Sequence, residues 1–213
     1  MNLFENLESY INEHIDAEPS ELNALYRHTH LHHLYPRMCS GHYQGRLLKM
    51  LTAMIKPKKV LELGTYTGYS ALSIAEGLSD GSLIDTVEID EEKESELRET
   101  FRNSPYGSRV NLHIGDALEM VSSLAGPYEL VFIDANKRFY WDYLEAVYPL
   151  VCTNGFILVD NTLWDMKVIT ETDATDSQTC AIKQFNEKLA RDTRFEKIIL
   201  PVRDGLTIIR KMN

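Results

Sequence analysis

The stretch that decides the fold reads Val60-Leu61-Glu62-Leu63-Gly64-Thr65-Tyr66-Thr67-Gly68-Tyr69-Ser70. Its apolar start predicts a buried strand, and its two glycines predict a sharp turn into a helix, because glycine lets the backbone pass close to a ligand. The spacing is E-x-G-x-x-x-G, which differs from the G-x-G-x-x-G of pyrophosphate-binding loops and from the Gly-Lys-Ser/Thr ending of a P-loop. Such a loop suits a ligand with a nucleoside and no phosphates, and S-adenosylmethionine is the leading candidate.

Short apolar runs recur along the chain with helical stretches between them. Strands are predicted at 60–63, 83–89, 110–114, 130–133 and 156–159, and helices at 69–78 and 91–102, among others. This alternation predicts a parallel sheet covered by helices on both faces. Two further runs, 197–200 and 206–209, flank a loop and predict a terminal hairpin. We therefore expect an α/β fold: a Rossmann-like, doubly wound, mostly parallel sheet of seven strands with a C-terminal antiparallel hairpin.

The region before the first strand is predicted to be helical. Apolar residues lie four apart over 3–15, a helix start is predicted at 19–21, and a third helix is predicted around 47–55. Pro57 ends this region. A chain of 213 residues fits one α/β domain. We expect residues 1–213 to form a single domain, with 1–57 as a helical cover and 58–213 as the Rossmann-like core.

The composition of the chain limits which partners and which cellular compartment we expect. The chain has 22 basic and 32 acidic residues and a net charge of −10, which argues against nonspecific binding to nucleic acid or to an anionic membrane. No apolar run approaches the roughly 20 residues that span a bilayer, and the first residues do not resemble a signal peptide. Cys39, Cys152 and Cys180 are far apart, as expected of unpaired thiols in a reducing compartment. We expect a cytoplasmic protein without a membrane partner.

Acidic residues follow several predicted strands, where ligands collect in doubly wound sheets. Glu88 ends the second strand, where an acid can accept hydrogen bonds from both hydroxyls of a ribose. Asp116 follows the third strand, where an adenine edge would be read. The alternative is that these acids merely cap helices and turns. The nearby glycine loop favours the ligand-binding interpretation.

A second group of polar residues follows the fourth and fifth strands. Asp134 ends the fourth, and Asp160 and Asn161 end the fifth. Two carboxylates and an amide oxygen suit a hard cation such as Mg²⁺ or Mn²⁺ better than zinc, although capping roles are again the alternative. Lys137 lies three residues after Asp134. Beside a bound cation its pKa would fall, and it could then accept a proton.

Histidines and aromatic residues give weaker signals. His28 and His32 are one helical turn apart, with His30 and His33 beside them, but no finger-like spacing and no H-E-x-x-H motif accompanies them. A polar helix face or the rim of a substrate pocket is the favoured interpretation, and metal binding is the minor alternative. Three large aromatic residues could wall an aromatic substrate or belong to the core: Tyr140, Trp141 and Trp164.

Taken together, these motifs are similar to those of a known family. From about Arg37 onward the chain resembles the cation-dependent O-methyltransferases, the catechol and caffeoyl-CoA O-methyltransferases, and especially their small bacterial members. The matching segments are Met38-x-Ser40 with Gln44-Gly45, the 60–70 loop, Glu88, Gly115-Asp116-Ala117, Asp134-Ala135-Asn136-Lys137, Asp160-Asn161-Thr162-Leu163-Trp164, Phe185-Asn186 and Asp204-Gly205-Leu206. Asn136 stands where many relatives have a second Asp, so the acceptor preference of plant enzymes is not carried over.

The resemblance implies a role for each matching site residue. The residues implied for S-adenosylmethionine are Met38 near the methionine end, Glu62, Gly64, Ser70, Glu88 on the ribose, Asp116 and Ala117 near the adenine, and Asp134. The implied metal ligands are Asp134, Asp160 and Asn161, for Mg²⁺ with Mn²⁺ or Ca²⁺ as alternatives. Lys137 matches the family's proposed catalytic base. A homodimer is also expected.

The activity that follows is methyl transfer from S-adenosylmethionine to a hydroxyl of a small aromatic, catechol-like vicinal diol, assisted by a divalent cation. One alternative within the family is methylation of a 5-hydroxyuridine in tRNA, against which the net charge of −10 argues. An NAD-dependent dehydrogenase would share the sheet, but it disagrees with the glycine spacing. A nonenzymatic cofactor-binding module would leave the cluster of Asp134, Asp160, Asn161 and Lys137 without a purpose.

Overall fold

The computed structural model describes residues 3–213, with side chains from residue 7 onward, so the side chain of Leu3 in the predicted first helix lies outside the described residues. The helices are α1 Leu3–His14, α2 Ser20–His32, α3 Gly41–Ile55, α4 Tyr69–Gly77, α5 Glu94–Asn103, α6 Ala117–Ser123, α7 Tyr140–Val147 and α8 Ser177–Arg191. The strands are β1 Lys59–Leu63, β2 Leu83–Glu88, β3 Val110–Ile114, β4 Tyr128–Ile133, β5 Val151–Val159, β6 Phe195–Leu200 and β7 Leu206–Lys211. Over residues 3–213 we find no helix with both the length and the apolar character needed to cross a membrane.

The seven strands form one sheet in the order β3-β2-β1-β4-β5-β7-β6. Strands β1 to β5 are parallel to one another, whereas β7 is antiparallel to both β5 and β6. The predicted doubly wound fold with a C-terminal antiparallel hairpin is therefore confirmed. The strand order reverses between β1 and β4, and a crevice forms at the carboxyl ends of the strands beside such a switch point.

Alternation along the strands divides the apolar residues between two cores, one on each face of the sheet. Leu61 and Leu63 of β1 pack with α6, α7 and α8. Val60, one residue earlier, packs with α3, α4 and α5 on the other face, since successive strand side chains point to opposite faces. Glu62 shares the parity of Val60 and is fully buried. The parallel strands thus bury both faces, which explains why their sequences read as continuous apolar runs.

Helix α3 lies directly against α4, and two glycines permit this close approach. A Cβ on Gly45 would lie 2.8 Å from the Tyr69 ring, and one on Gly77 would lie 2.4 Å from the carbonyl oxygen of Lys49. Arg46 and Glu76 form a paired ion bridge between the same two helices. Through this contact, the N-terminal helices attach to the helix that follows the glycine loop.

Helix α3 offers a matched pair of substitutions that tests which of its apolar residues stabilise the fold. Leu48 is fully buried, whereas 71% of Met54 is exposed. We expect Leu48→Ala to lower the free energy of unfolding by about 2–5 kcal/mol, because it leaves a cavity. We expect Met54→Ala to change it by less than about 0.5 kcal/mol. Urea unfolding followed by circular dichroism measures both, and equal losses would contradict this packing.

Candidate active site

A cleft of about 1780 Å³ lies at the carboxyl ends of β1, β2, β4 and β5. Pockets for one small ligand typically measure about 300–1,000 Å³, so this cleft has room for a cofactor-sized molecule and a second reactant. Most of the predicted site residues line it: Met38, Gly64, Ser70, Glu88, Ala117, Asp134, Lys137, Asp160 and Asn161. Glu62 and Asp116 are not part of this lining.

The glycine loop forms one wall of the cleft, and its shape depends on Gly64. This residue has φ of +102°, and a Cβ there would lie 2.3 Å from the carbonyl oxygen of Asp134. Its amide donates to the carbonyl of Val87 on the neighbouring strand, at 3.0 Å. Gly68, with φ of +84°, precedes the first residue of α4. Only glycine meets these conditions without strain, so the loop lies tightly against the strand ends as the spacing predicted.

Glu62 lies beneath this loop in the core. Its Oε2 accepts a 2.5 Å hydrogen bond from the Thr86 hydroxyl, and its buried Oε1 has no hydrogen-bond partner among the described residues. Burial raises the pKa of Glu62 from 4.5 to about 8, although the nearby hydroxyls of Ser70 and Thr86 oppose this rise. A buried carboxyl with a free oxygen is suited to a ligand that brings a positive charge or a donor close to it.

Glu88 occupies the position predicted for a ribose-binding acid. Its carboxylate accepts hydrogen bonds from the amide of Tyr66 at 2.7 Å and from the amide of Asp90 at 3.0 Å. These bonds come from the glycine loop and from the turn after β2, so they orient a buried carboxylate that lines the cleft. Each carboxylate oxygen can accept more than one hydrogen bond. Glu88 can therefore still accept bonds from two ligand hydroxyls.

The predicted metal ligands come together where β4 and β5 end. The backbone amide of Asp134 donates to Leu63 at 2.9 Å, and that of Asp160 donates to Ile133 at 3.0 Å, so each residue follows directly from the sheet. The Asp160 side chain accepts from Gln44 Nε2 at 2.7 Å and from the Asn161 amide at 2.8 Å. Asn161 has φ of +56°, a conformation that Asn tolerates better than most residues. Asp134, Asp160 and Asn161 thus offer oxygen atoms to the same cleft.

Lys137 is paired with one of these acids. Its Nζ lies 2.6 Å from Asp134 Oδ1, and both side chains are largely buried. Burial alone would lower the pKa of Lys137, but Asp134, Tyr140 and Asp160 together outweigh it and raise the pKa above its ordinary value. A lowered pKa of Lys137 is predicted only beside a bound cation. With Asp134 paired to Lys137, the protonated ammonium is the favoured form.

Burial also acts on Asp160, the deepest acid of the group. It raises the pKa of Asp160 from 3.8 to about 6, and repulsion from Asp134 adds to the effect, while Lys137 and Gln44 oppose it. A second carboxylate that faces the same small space favours protonation of Asp160. The ionised form of Asp160 is therefore unfavourable here, and a positively charged ligand would stabilise it.

Asp116 and Ala117, the two residues predicted to lie near an adenine, have different surroundings in the turn after β3. Asp116 caps α6: its Oδ1 accepts from the amides of Leu118 at 2.9 Å and Glu119 at 3.3 Å. Ala117 lines the cleft, but Asp116 does not. Asp116 therefore acts as a helix cap, which was the alternative interpretation. A contact between Asp116 and a cofactor stays a prediction. Met38 lines the cleft from the N-terminal cover.

The chain is similar in sequence to known enzymes. A family model described as O-methyltransferase matches residues 12–212. The chain belongs to this O-methyltransferase family. Caffeoyl-CoA O-methyltransferase of Stellaria longipes is 33% identical over 178 residues, which are 79% of this chain and 74% of that relative. The family resemblance drawn from the sequence motifs is thereby confirmed.

Solved structures agree with this family. A SAH-bound methyltransferase from Podospora anserina has a TM-score of 0.90 and 29% identity, with 98% of this chain and 95% of that chain covered. An O-methyltransferase from Bacillus cereus in complex with SAH has a TM-score of 0.89 and 25% identity, with 97% of each chain covered. The predicted enzyme class, an S-adenosylmethionine-dependent O-methyltransferase, is confirmed. The alternative of an NAD-dependent dehydrogenase is set aside.

The structure adds a residue to the site of this O-methyltransferase that the sequence did not single out. Arg203, in the loop between β6 and β7, donates to Gln44 Oε1 at 3.0 Å and to the backbone carbonyls of Cys39 and Ser40. Gln44 in turn donates to Asp160. Arg203 therefore positions Gln44 against a predicted metal ligand. Its separation from Gln44 is 159 residues, and no local pattern could have indicated the contact.

The aromatic residues of the O-methyltransferase split between cleft and core. Trp164 lines the cleft, and so do His32 and His33, as predicted for a pocket rim. Tyr140 and Trp141 lie outside the lining and pack edge to face against Phe185. Of the three aromatic residues considered from the sequence, Trp164 lines the cleft, and the core alternative describes the other two.

The buried acid beneath the loop predicts a pH dependence of stability. Glu62 keeps its proton up to about pH 8 in the folded state, whereas the unfolded chain releases it near its ordinary pKa of 4.5. The folded state then binds more protons between these values, so the free energy of unfolding falls as pH rises through this window, by at most about 1.4 kcal/mol per pH unit. Glu62→Gln should remove this contribution.

Urea unfolding of the wild type, Glu62→Gln and Glu99→Gln at a series of pH values measures the effect. Glu99 is exposed, so Glu99→Gln should keep the wild-type slope. A Glu62→Gln protein with the same slope as the wild type would show that Glu62 does not carry a raised pKa.

Proposed function

We propose that this S-adenosylmethionine-dependent O-methyltransferase acts on a hydroxyl of a small catechol-like vicinal diol and requires a divalent cation. One observation carries the proposal. Asp134, Asp160, Asn161 and Lys137 line the same cleft as the glycine loop and Glu88. The residues suited to a cation and an acceptor therefore adjoin those suited to the methyl donor.

The donor set supports an oxygen-preferring cation. Two carboxylates, from Asp134 and Asp160, and the Asn161 amide are the ligand types that Mg²⁺, Mn²⁺ and Ca²⁺ take up, and of these we expect Mg²⁺. The raised pKa of about 6 at Asp160, caused by burial and by Asp134, is relieved by added positive charge. A divalent cation held by these residues would supply charge that lowers the pKa of an acceptor hydroxyl.

The remaining residues bind the donor and manage the proton. We propose that Glu88 holds the ribose hydroxyls and that Gly64 lets the cofactor approach the strand ends. Glu62, Ser70, Met38, Asp116 and Ala117 complete the proposed cofactor site, and Asp134 borders it. Lys137 would accept the proton of the acceptor hydroxyl at Nζ after its ammonium form had released its own proton to solvent, a release that a cation held by Asp134 would favour. The methyl donor and the acceptor hydroxyl would then be held side by side. This positioning is a major contribution of the protein to the rate, because the cofactor itself supplies the reactive methyl group.

Three observations support an acceptor with an aromatic ring that binds beside the cofactor. The cleft exceeds the volume of a single-ligand pocket. Trp164 lines it three residues after Asn161, and aromatic rings favour aromatic ligands. The relative from Stellaria longipes is named for caffeoyl-CoA, whose caffeoyl ring carries a catechol. Methylation of a 5-hydroxyuridine in tRNA is the second candidate, and the net charge of −10 argues against it.

Further expectations concern organisation. We propose that residues 1–213 act as one domain, with 1–57 as the cover and 58–213 as the core. We also propose a homodimer, as the family resemblance implies, which analytical ultracentrifugation tests. The three cysteines are unpaired, which supports a reducing compartment such as the cytoplasm.

Transfer of labelled methyl from S-adenosylmethionine tests the proposed acceptor and the cation together. We expect a simple catechol to receive the labelled methyl group when Mg²⁺ is present. A chelator should stop the labelling, because it removes the cation from Asp134, Asp160 and Asn161. Bulk bacterial tRNA run in parallel should remain unlabelled. Labelling of tRNA alone would favour the second candidate, and catechol labelling that survives the chelator would contradict the cation requirement.

The role of Lys137 can be separated from its ion pair with Asp134. Lys137→Arg keeps a positive charge beside Asp134 but cannot accept a proton at neutral pH, whereas Lys137→Ala removes both. We expect both variants to lose about 10²–10⁴-fold in turnover while binding S-adenosylmethionine within a few-fold of the wild type. Single-turnover rates and calorimetry measure the two quantities. If Lys137→Arg keeps wild-type turnover, Lys137 serves only as the partner of Asp134.

A further inference from the structure

Two histidines and a glutamate meet where the N-terminal cover touches the core. His28 lies in the last turns of α2, His33 directly follows that helix, and Glu96 lies in the first turn of α5. We propose that His28, His33 and Glu96 form a second metal site, for a zinc-class cation, separate from the oxygen ligands of the active site.

The distances suit a common ion. His33 Nε2 lies 2.9 Å from Glu96 Oε1, and His28 Nδ1 lies 3.8 Å from the same oxygen. One ligand atom of each residue lies within 4.8 Å of the others. Tetrahedral zinc with bonds of about 2.0–2.1 Å separates its ligand atoms by roughly 3.3 Å. Side-chain shifts of about 1 Å therefore bring the three atoms onto one ion.

The backbone explains why His33, rather than His32, completes the group. α2 ends at His32, and His33 takes an extended conformation with φ of −104° and ψ of 145°. This change of direction turns the His33 ring toward α5, where it lies edge to face with His28 at 5.9 Å between centroids. The i, i+4 spacing of His28 and His32 places those rings in contact at 4.5 Å, but His32 does not belong to the cluster.

The donor set selects a different class of metal from the active site. Two imidazole nitrogens and one carboxylate oxygen are ligands that zinc, and also copper or nickel, accept readily, whereas Mg²⁺ and Ca²⁺ prefer oxygen throughout. Three protein ligands leave the fourth position to water. Segment 90–99, which contains Glu96, carries six acids against two bases, so the surrounding charge attracts a cation. His28 is half exposed and His33 is 11% exposed, so an ion can enter from the His28 side.

The position of this His-Glu site predicts its effect. His33 lies edge to face against Tyr66 at 5.6 Å, and the Tyr66 amide donates to Glu88. His33 also lines the cleft. A metal that joins α2 to α5 would therefore hold the N-terminal cover against the glycine loop, and it would restrict the opening of this edge of the cleft.

Calorimetric titration of the chelator-treated protein with Zn²⁺, at saturating Mg²⁺ to fill the oxygen site, tests the proposal. We expect the wild type to bind one equivalent of Zn²⁺ in this background. His28→Gln and Glu96→Gln should each weaken it by about 100-fold, because each removes one of three ligands. His30→Gln, an exposed change on the same helix, is the matched control and should bind as the wild type does. All four proteins are compared without metal by circular dichroism, which separates lost binding from lost folding.

Two further measurements test whether bound zinc stabilises the N-terminal cover. Zn²⁺ should raise the Tm of the wild type and of His30→Gln by about 5 °C, and it should slow amide exchange over residues 20–33. Neither effect should occur in His28→Gln. Zinc affinity in His28→Gln equal to that of the wild type, absence of zinc binding by the wild type at saturating Mg²⁺, or an equal loss in His30→Gln would each overturn the proposal.

Discussion

The close approach of Gly64 to the backbone of Asp134 is the constraint on which the site depends. A side chain at position 64 would stand 2.3 Å from the Asp134 carbonyl oxygen, and no relaxation of a flexible group could relieve a contact with backbone. Because Gly64 directly follows β1 and Asp134 directly follows β4, this contact joins the ends of two paired strands at the switch point of the sheet. The contact between Gly64 and Asp134 therefore fixes the distance between the proposed cofactor loop and the proposed metal ligands.

Around this junction the enzyme concentrates acidic groups in a place where water cannot screen their charge. Glu62 and Asp160 are both buried, and burial raises the pKa of each. Lys137 and Asp134 offset part of this charge as an ion pair. Buried charge of this kind is unfavourable for folding, and it persists where a ligand or a reaction makes use of it. The cost of these buried acids to the fold and the binding of a positively charged donor or cation that we propose for them thus have the same origin.

The N-terminal helices complete this site from a distance along the chain. Gln44 of α3 donates to Asp160, and Arg203 of the hairpin loop donates to Gln44. The three residues come from the cover, the end of β5 and the loop between β6 and β7, so their hydrogen bonds join three parts of the fold. Met38 and His33 bring the same cover to the cleft. The cover is therefore part of the active-site wall as well as a layer over the sheet.

The sequence by itself determined the features that repeat with the period of a strand or depend on one backbone conformation. These are the strands, their parallel arrangement, the hairpin, the glycine loop and the residues that follow each strand, because alternation, helical spacing and positive φ are local properties. Only the tertiary structure decided the direction of side chains and the pairing of distant residues. It placed Asp116 in a helix cap, turned Tyr140 and Trp141 toward Phe185, left Met54 exposed, brought Arg203 to Gln44 and placed His33 beside Glu96. The physical reason is that a side chain's neighbours are set by the packing of elements far apart in the chain, and no local pattern encodes that packing.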